Sequence, residues 1–176
     1  MEIRRALESD RSEIERVYLA AFKAEERTLV AQVAVGLLCL DDSLGGFSLV
    51  ACDGGNVLGH VAFSPLAFDP CQTLEGSILS PLAVDPKAQG RGIGSRLVNE
   101  GLKALRAEGK DIVLVYGDPN YYGRFNFRED VARNYRPPYK LQFPSGWLGL
   151  KLRPFESGSE WVPFACAPPL SRPDLW

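Results

Sequence analysis

Along the chain the spacing of apolar residues changes several times, and each change marks an element. Met1 to Ala6 reads as a first strand. From Asp10 or Ser12 onward, Ile14, Val17, Tyr18, Ala21 and Phe22 recur at helical spacing. A second helical face carries Leu29, Val30, Val33 and Leu37, and Asp41, Asp42, Gly45 and Gly46 end it. Phe47 to Asp53, the pair Gly54-Gly55 and Asn56 to Phe68 spell strand, tight turn and returning strand. Gly76 to Val84 is a further strand, and a loop from Asp85 to Gln89 leads into Gly90-Arg91-Gly92-Ile93-Gly94. The helix that follows places Ile93, Leu97, Val98, Leu102 and Leu105 on one face, and Gly109 closes it. Asp111 to Tyr116 is almost continuously apolar, the pattern of a strand covered on both faces. Pro119 then opens a short helix holding Tyr121, Tyr122 and Phe125. This order of elements predicts an α/β fold with a mixed sheet.

The last 40 residues hold 8 of the 13 prolines. Proline is confined to edges and bulges of sheets, so this region should loop between short strands at Trp147–Leu152 and Trp161–Cys166. Trp147, Leu148, Leu150, Leu152, Trp161, Val162 and Phe164 carry too much apolar area to leave in water. The tail is therefore expected to complete one domain over residues 1–176, with a core at 1–130 and closing strands and loops at 131–176.

Charge narrows the partners. Lys plus Arg number 20 and Asp plus Glu 22, a net charge of −2 that lacks the basic excess of a dedicated nucleic-acid binder. Met1 is followed by Glu2, Arg4, Arg5 and Glu8 with no apolar run behind them, which argues against a signal peptide. The longest apolar stretch, Val33 to Leu40, is far short of the roughly 20 residues a membrane span needs. Cys39, Cys52, Cys71 and Cys166 have no C-x-x-C spacing and no clustered histidine, so no metal site is expected. A cytoplasmic protein with four reduced thiols fits these features.

The informative segment is Leu82-Ala83-Val84-Asp85-Pro86-Lys87-Ala88-Gln89-Gly90-Arg91-Gly92-Ile93-Gly94-Ser95. A strand enters a glycine-rich turn, and the turn enters a helix. Glycine permits positive φ and close approach of a ligand. The first amides of a helix have no internal partner, and the helix dipole adds positive charge there. Such a turn suits phosphate or pyrophosphate. A dinucleotide fold needs G-x-G-x-x-G directly after the strand, whereas five residues intervene after Val84 and the glycines run G-x-G-x-G, although Asp118 does end the next strand. A P-loop needs a lysine that is missing after Gly94. A turn without ligand has to explain three glycines in five residues, each costly in conformational entropy.

A third ligand reading is a resemblance. Gln89-Gly90-Arg91-Gly92-Ile93-Gly94 matches Q/R-x-x-G-x-G/A, the acyl-CoA signature of the GNAT superfamily of N-acetyltransferases. Leu82-Ala83-Val84-Asp85-Pro86 resembles the strand end that precedes it there. Tyr121-Tyr122-Gly123-Arg124-Phe125-Asn126-Phe127 resembles the family's later tyrosine segment. The likeness covers roughly residues 1–130, and Tyr135-Arg136-Pro137-Pro138 with Trp147–Leu152 resembles the predicted-acetyltransferase branch related to YhbS.

The resemblance implies a mixed, mostly antiparallel sheet with a splayed parallel pair, Gly76–Val84 and Asp111–Tyr116, and helices on both faces. It implies acetyl-CoA as acyl donor, with no metal. Its pantetheine arm would lie against Leu82, Ala83 and Val84 as an added strand. Its pyrophosphate would sit on Gln89, Gly90, Arg91, Gly92, Ile93, Gly94 and Ser95, with Lys87, Arg91 or Arg96 near the ribose phosphate. An acceptor amine would attack the thioester directly in a ternary complex, with an amide N–H near Leu82 or Ala83 on the oxyanion. Tyr122 would protonate the departing thiolate. Asn126 stands where the family has glycine, and Ile78 stands where some members carry a glutamate base. Glu75, His60, Asp118 and Glu26 remain as candidate bases, and a water chain or an already neutral amine would need none. The acceptor, a small-molecule or peptide amine, would be chosen by Phe22, Glu25 and Glu26 and by the tail. An exposed sheet edge is compatible with a homodimer. The contrasting class is a non-catalytic acyl-CoA sensor.

Overall fold

The computed structural model describes residues 1–40, 45–68, 73–155 and 161–176. Its strands are β1 (Glu2–Arg5), β2 (Phe47–Asp53), β3 (Asn56–Phe68), β4 (Gly76–Val84), β5 (Ile112–Tyr116), β6 (Tyr135–Arg136), β7 (Trp147–Lys151) and β8 (Val162–Ala165). The helices are α1 (Arg11–Ala21), α2 (Arg27–Leu38), α3 (Ile93–Ala107), α4 (Pro119–Tyr122) and α5 (Glu129–Ala132). The hydrogen-bonded strand order is β1-β2-β3-β4-β5-β7, with β8 paired to β3 and β6 to β8. β4–β5 and the two-residue β6–β8 pair are parallel, and the β1–β2, β2–β3, β3–β8 and β5–β7 ladders are antiparallel. The mixed sheet expected from the order of elements, mostly antiparallel as the resemblance implies, is therefore present. The chain forms two compact units, Met1–Ser64 with Ser80–Leu102, and Pro65–Leu79 with Lys103–Trp176. β3 and β4 each pass from one unit into the other.

In the first unit the hairpin falls where the sequence puts it. Gly54 and Gly55 have φ of +56° and +87°, the doubly positive backbone that a two-residue hairpin turn needs. Neighbouring residues of a strand face opposite sides of the sheet. His60 meets Tyr18 of α1, with ring centroids 5.6 Å apart. Gly59 lies against Ile93 and Leu97 of α3. Helices thus cover both faces of this unit. Between α1, α2 and the sheet, Ile14, Val17, Tyr18, Ala31 and Ala34 pack with Val50, Val57 and Ala83. Of the predicted α2 face, Val33 and Leu37 are buried, while Leu29 and Val30 are only half-buried. Ala31 and Ala34 are buried in their place.

In the second unit, the β4–β5 ladder runs from Gly76–Ile112 to Leu79–Val115. β7 covers the other side of β5, from Ile112–Lys151 to Tyr116–Trp147. Asp111, just before β5, accepts from the Glu75 amide and from the Arg153 guanidinium and pins that end. Trp147 donates its indole N–H to the Tyr135 carbonyl at 2.9 Å and stacks on Phe164 at 6.0 Å. Trp147, Leu148, Leu150 and Phe164 are buried as expected, but Trp161 is 68% exposed. It precedes the first paired residue of β8, Val162, so no ladder carries it into the core. Cys39, Cys52 and Cys166 are free thiols, while Cys71, Asp41 and Asp42 fall outside the described residues. Among the described residues no helix is long and apolar enough to cross a membrane.

Candidate functional site

The glycine-rich turn is built in the first unit. Asp85 ends β4 and starts a 3-10 turn, Pro86–Ala88, by accepting the Lys87 amide at 2.9 Å. Arg16 of α1 reaches the same carboxylate at 2.6 Å and the Val57 carbonyl at 2.8 Å. The Arg16 guanidinium holds the Asp85 carboxyl below the usual carboxylate range. Gly90 and Gly92 both have φ of +73°, and nothing lies within 4 Å of where their Cβ atoms would be. Positive φ, not crowding, is what demands glycine here. Gln89, Gly90, Arg91 and Gly92 are exposed, whereas Ile93 is buried and anchors the start of α3. The Arg96 amide donates to the Gly92 carbonyl, so the amides before it precede the helix's own hydrogen bonding. An open ring of amides at a helix start fits a diphosphate.

The strand leading into the turn sorts its main-chain groups by alternation. The Asp85 amide donates to the Leu58 carbonyl at 2.8 Å, so this register position faces β3. Two residues earlier, the Ala83 carbonyl also faces β3, 3.0 Å from where a Gly59 Cβ would stand. Leu82 and Val84 therefore turn their N–H and C=O away from β3. The Gln89 side chain donates to the Val84 carbonyl at 3.1 Å, as this orientation requires. Ala83 differs from its two neighbours: its main chain turns to β3 and its methyl is buried in the α1–α2 core. The Gln89 side chain ties the turn to the strand.

Tyr122 belongs to the second unit. Asp118 caps α4 by accepting the Asn120 amide at 2.9 Å, and Pro119 fills the first helical position. The Tyr122 ring rests on Gly117, where a Cβ would meet it at 2.5 Å, and it meets Phe127 edge-on at 5.8 Å. Burial pushes its phenol well above the ordinary value, so the hydroxyl stays protonated. Tyr121 packs edge-on against Tyr122 and under the Arg124 guanidinium. Asn126, the departure from the family's glycine, has φ of +66°. Asparagine is the side chain that best tolerates this left-handed backbone, so the turn survives the change.

The four candidate bases lie in different surroundings. His60 is fully buried, and burial lowers its pKa to about 3. Its Nδ1 lies 2.9 Å from the Tyr18 hydroxyl, and its Nε2 has no partner among the described residues. Glu75 pairs with Lys110 at 2.8 Å, Asp118 caps α4, and Glu26 is exposed where α2 begins. Ile78 is buried.

Nothing in the sequence points to a cleft of about 370 Å³ in the second unit. The end of β5 supplies Tyr116 and Gly117, α4 supplies Asp118 and Pro119, and the approach to β7 supplies Phe143 and Gly146. The Gly117 amide donates to the Gly146 carbonyl at 2.9 Å, and the Tyr116 hydroxyl accepts the Phe143 amide at 2.7 Å. Tyr116 stacks on Trp176, at 6.3 Å and 10°. These contacts depend on residues up to 60 positions apart in the chain, which periodicity does not reveal.

An open amide turn at the end of a strand with outward main-chain groups suits a carrier that has a diphosphate and an extended arm. Residues 6–127 match the acetyltransferase (GNAT) family. The chain belongs to this family and is an acyltransferase. It is 35% identical over 136 residues to the uncharacterized N-acetyltransferase YjhQ of Escherichia coli, covering 76% of this chain and 73% of that one. Among solved structures it resembles E. coli YhbS in complex with CoA, at a TM-score of 0.77 and 28% identity, over 93% of this chain and 89% of that one. It also resembles a GNAT family acetyltransferase from Brucella melitensis in complex with acetyl-CoA, at a TM-score of 0.67 and 28% identity, over 92% and 93% of the two chains.

Proposed function

We propose that the protein moves an acetyl group from acetyl-CoA to a primary amine by direct attack in a ternary complex. The observation that carries this reading is the exposed turn with Gly90 and Gly92 at φ +73° and open space above both. The amides from Gly90 to Ser95 hold the diphosphate, with the exposed Arg91 adding charge. Leu82 and Val84 offer main-chain groups to the pantetheine arm, and the Leu82 N–H is the donor for the thioester oxygen. The CoA and acetyl-CoA held by the two similar structures support the choice of carrier.

The amine nitrogen forms the C–N bond as the C–S bond breaks, and the sulfur takes up a proton. Tyr122 serves that sulfur. A thiol is ordinarily a stronger acid than a phenol, and burial widens the gap. Tyr122 therefore acts chiefly by donating a hydrogen bond to the departing thiolate. Changing Tyr122 to Phe should lower turnover by about 10²-fold or more while CoA affinity stays. Unchanged turnover in that variant refutes the role.

A further inference from the structure

We infer that the cleft beside α4 receives the acceptor, and that this acceptor is a primary amine carried on an apolar, aromatic or branched aliphatic body. The inference rests on the acyl-transfer reading and names its second substrate.

Three features of the cleft lead there. Its volume, about 370 Å³, lies in the range of small-molecule sites. Its walls are almost wholly apolar, from the rings of Tyr116, Pro119 and Phe143. Phe143 is itself 70% exposed beside the opening. Among the described residues lining it, Asp118 is the one that carries a charge, and one of its carboxylate oxygens is engaged by the Asn120 amide. An apolar body with a cationic end meets both the walls and the carboxylate. A fatty acyl chain would use the walls but would gain nothing from Asp118.

The cleft is held open by packing. Tyr116 is clamped between the Phe143 amide and the Trp176 ring, and Trp176 donates its indole N–H to the Leu170 carbonyl at 3.1 Å. Gly117 forms part of the wall, and the Tyr122 ring rests on the same residue. A wall residue of the cleft thus touches the tyrosine assigned to the sulfur. Of the three protons on the arriving ammonium, one goes to solvent before attack, one ends on the sulfur and one stays on the amide nitrogen.

The test uses the whole chain with acetyl-CoA and two sets of amines. Phenethylamine and isoamylamine represent the apolar class, and lysine, spermidine and ethanolamine the polar class. The apolar set should show kcat/KM about 10-fold or more above the polar set. Asp118→Asn keeps the helix cap and removes the charge. It should raise the phenethylamine KM about 10-fold and leave the acetyl-CoA KM unchanged. Inhibition by the neutral analogue phenethyl alcohol should also be unchanged, which separates a charge effect from a distorted cleft. Ser145→Trp, at an exposed wall position, should raise both the amine KM and the inhibition constant for the alcohol. Preference for polar amines overturns the inference, as does an Asp118→Asn effect that falls equally on amine and alcohol. It is also overturned if Ser145→Trp changes the choice between acetyl-CoA and hexanoyl-CoA and leaves the amine KM alone. Absence of both CoA binding and turnover on every amine overturns the acyl-transfer reading as well.

Discussion

The single histidine gives the first unit a pH-dependent stability that can be isolated. His60 is fully buried between β3 and α1, with Nδ1 on the Tyr18 hydroxyl and no partner at Nε2 among the described residues. Charging it there would strand a cation without solvent, so its pKa falls to about 3. The unfolded chain takes up that proton near pH 6.5. Above that pH both states are neutral and the full stability is present. Below it the unfolded state alone binds the proton, and stability falls until the folded group titrates near 3. Each pH unit in this window is worth about 1.4 kcal/mol, so moving from pH 7 to pH 5 should remove about 2 kcal/mol. Asp10, Asp85 and Asp111 are held below the usual carboxylate range and titrate beneath this window. Urea unfolding of the wild type and His60→Gln at pH 7 and pH 5 measures the difference. The wild type should lose about 2 kcal/mol more than the variant over that step. Equal losses in the two proteins, or a histidine resonance titrating near pH 6.5 in the folded state, would refute the reasoning.

Asn126 at φ +66° predicts that Asn126→Val costs about 1–2 kcal/mol in thermal unfolding, while Asn126→Gly is neutral or better. Arg16→Leu leaves the Asp85 carboxylate without its guanidinium and should cost about 1 kcal/mol at pH 7. In the same variant the acid-induced loss should shrink. The contribution from Asp85 is present above the ordinary carboxylate pKa and lost as pH falls through its depressed value. Urea midpoints at pH 7 and pH 3 check both effects.

The elements most legible in the sequence were those fixed by local pattern. The strand pair 47–53 and 56–68 with its Gly54-Gly55 turn needs only alternation and two positive φ values, and both are local properties. The apolar stripe of α3 was readable because Ile93, Leu97, Val98, Leu102 and Leu105 follow one period, and all are buried. Three features depended on tertiary approach and were not readable. Ala83 differs from Leu82 and Val84 only because β3 lies on one side of β4. Trp161 looks like a core residue by type, yet it lies outside the ladder that begins at Val162. The cleft joins Tyr116 and Gly117 to Phe143 and Gly146 through contacts across the tail.

The central claim is that the amides after Gln89 grip the diphosphate of CoA. Calorimetric titration of the intact protein with CoA, pantetheine and NADH tests it most directly, in the wild type, Gly92→Glu and Gly92→Asn. Asparagine tolerates the +73° backbone without adding charge, so it separates strain from repulsion. The account predicts that CoA binds the wild type and Gly92→Asn, that pantetheine binds about 100-fold more weakly, and that NADH does not bind. It also predicts that a folded Gly92→Glu no longer binds CoA. Equal affinity for CoA and pantetheine, or undiminished CoA binding by folded Gly92→Glu, would contradict it.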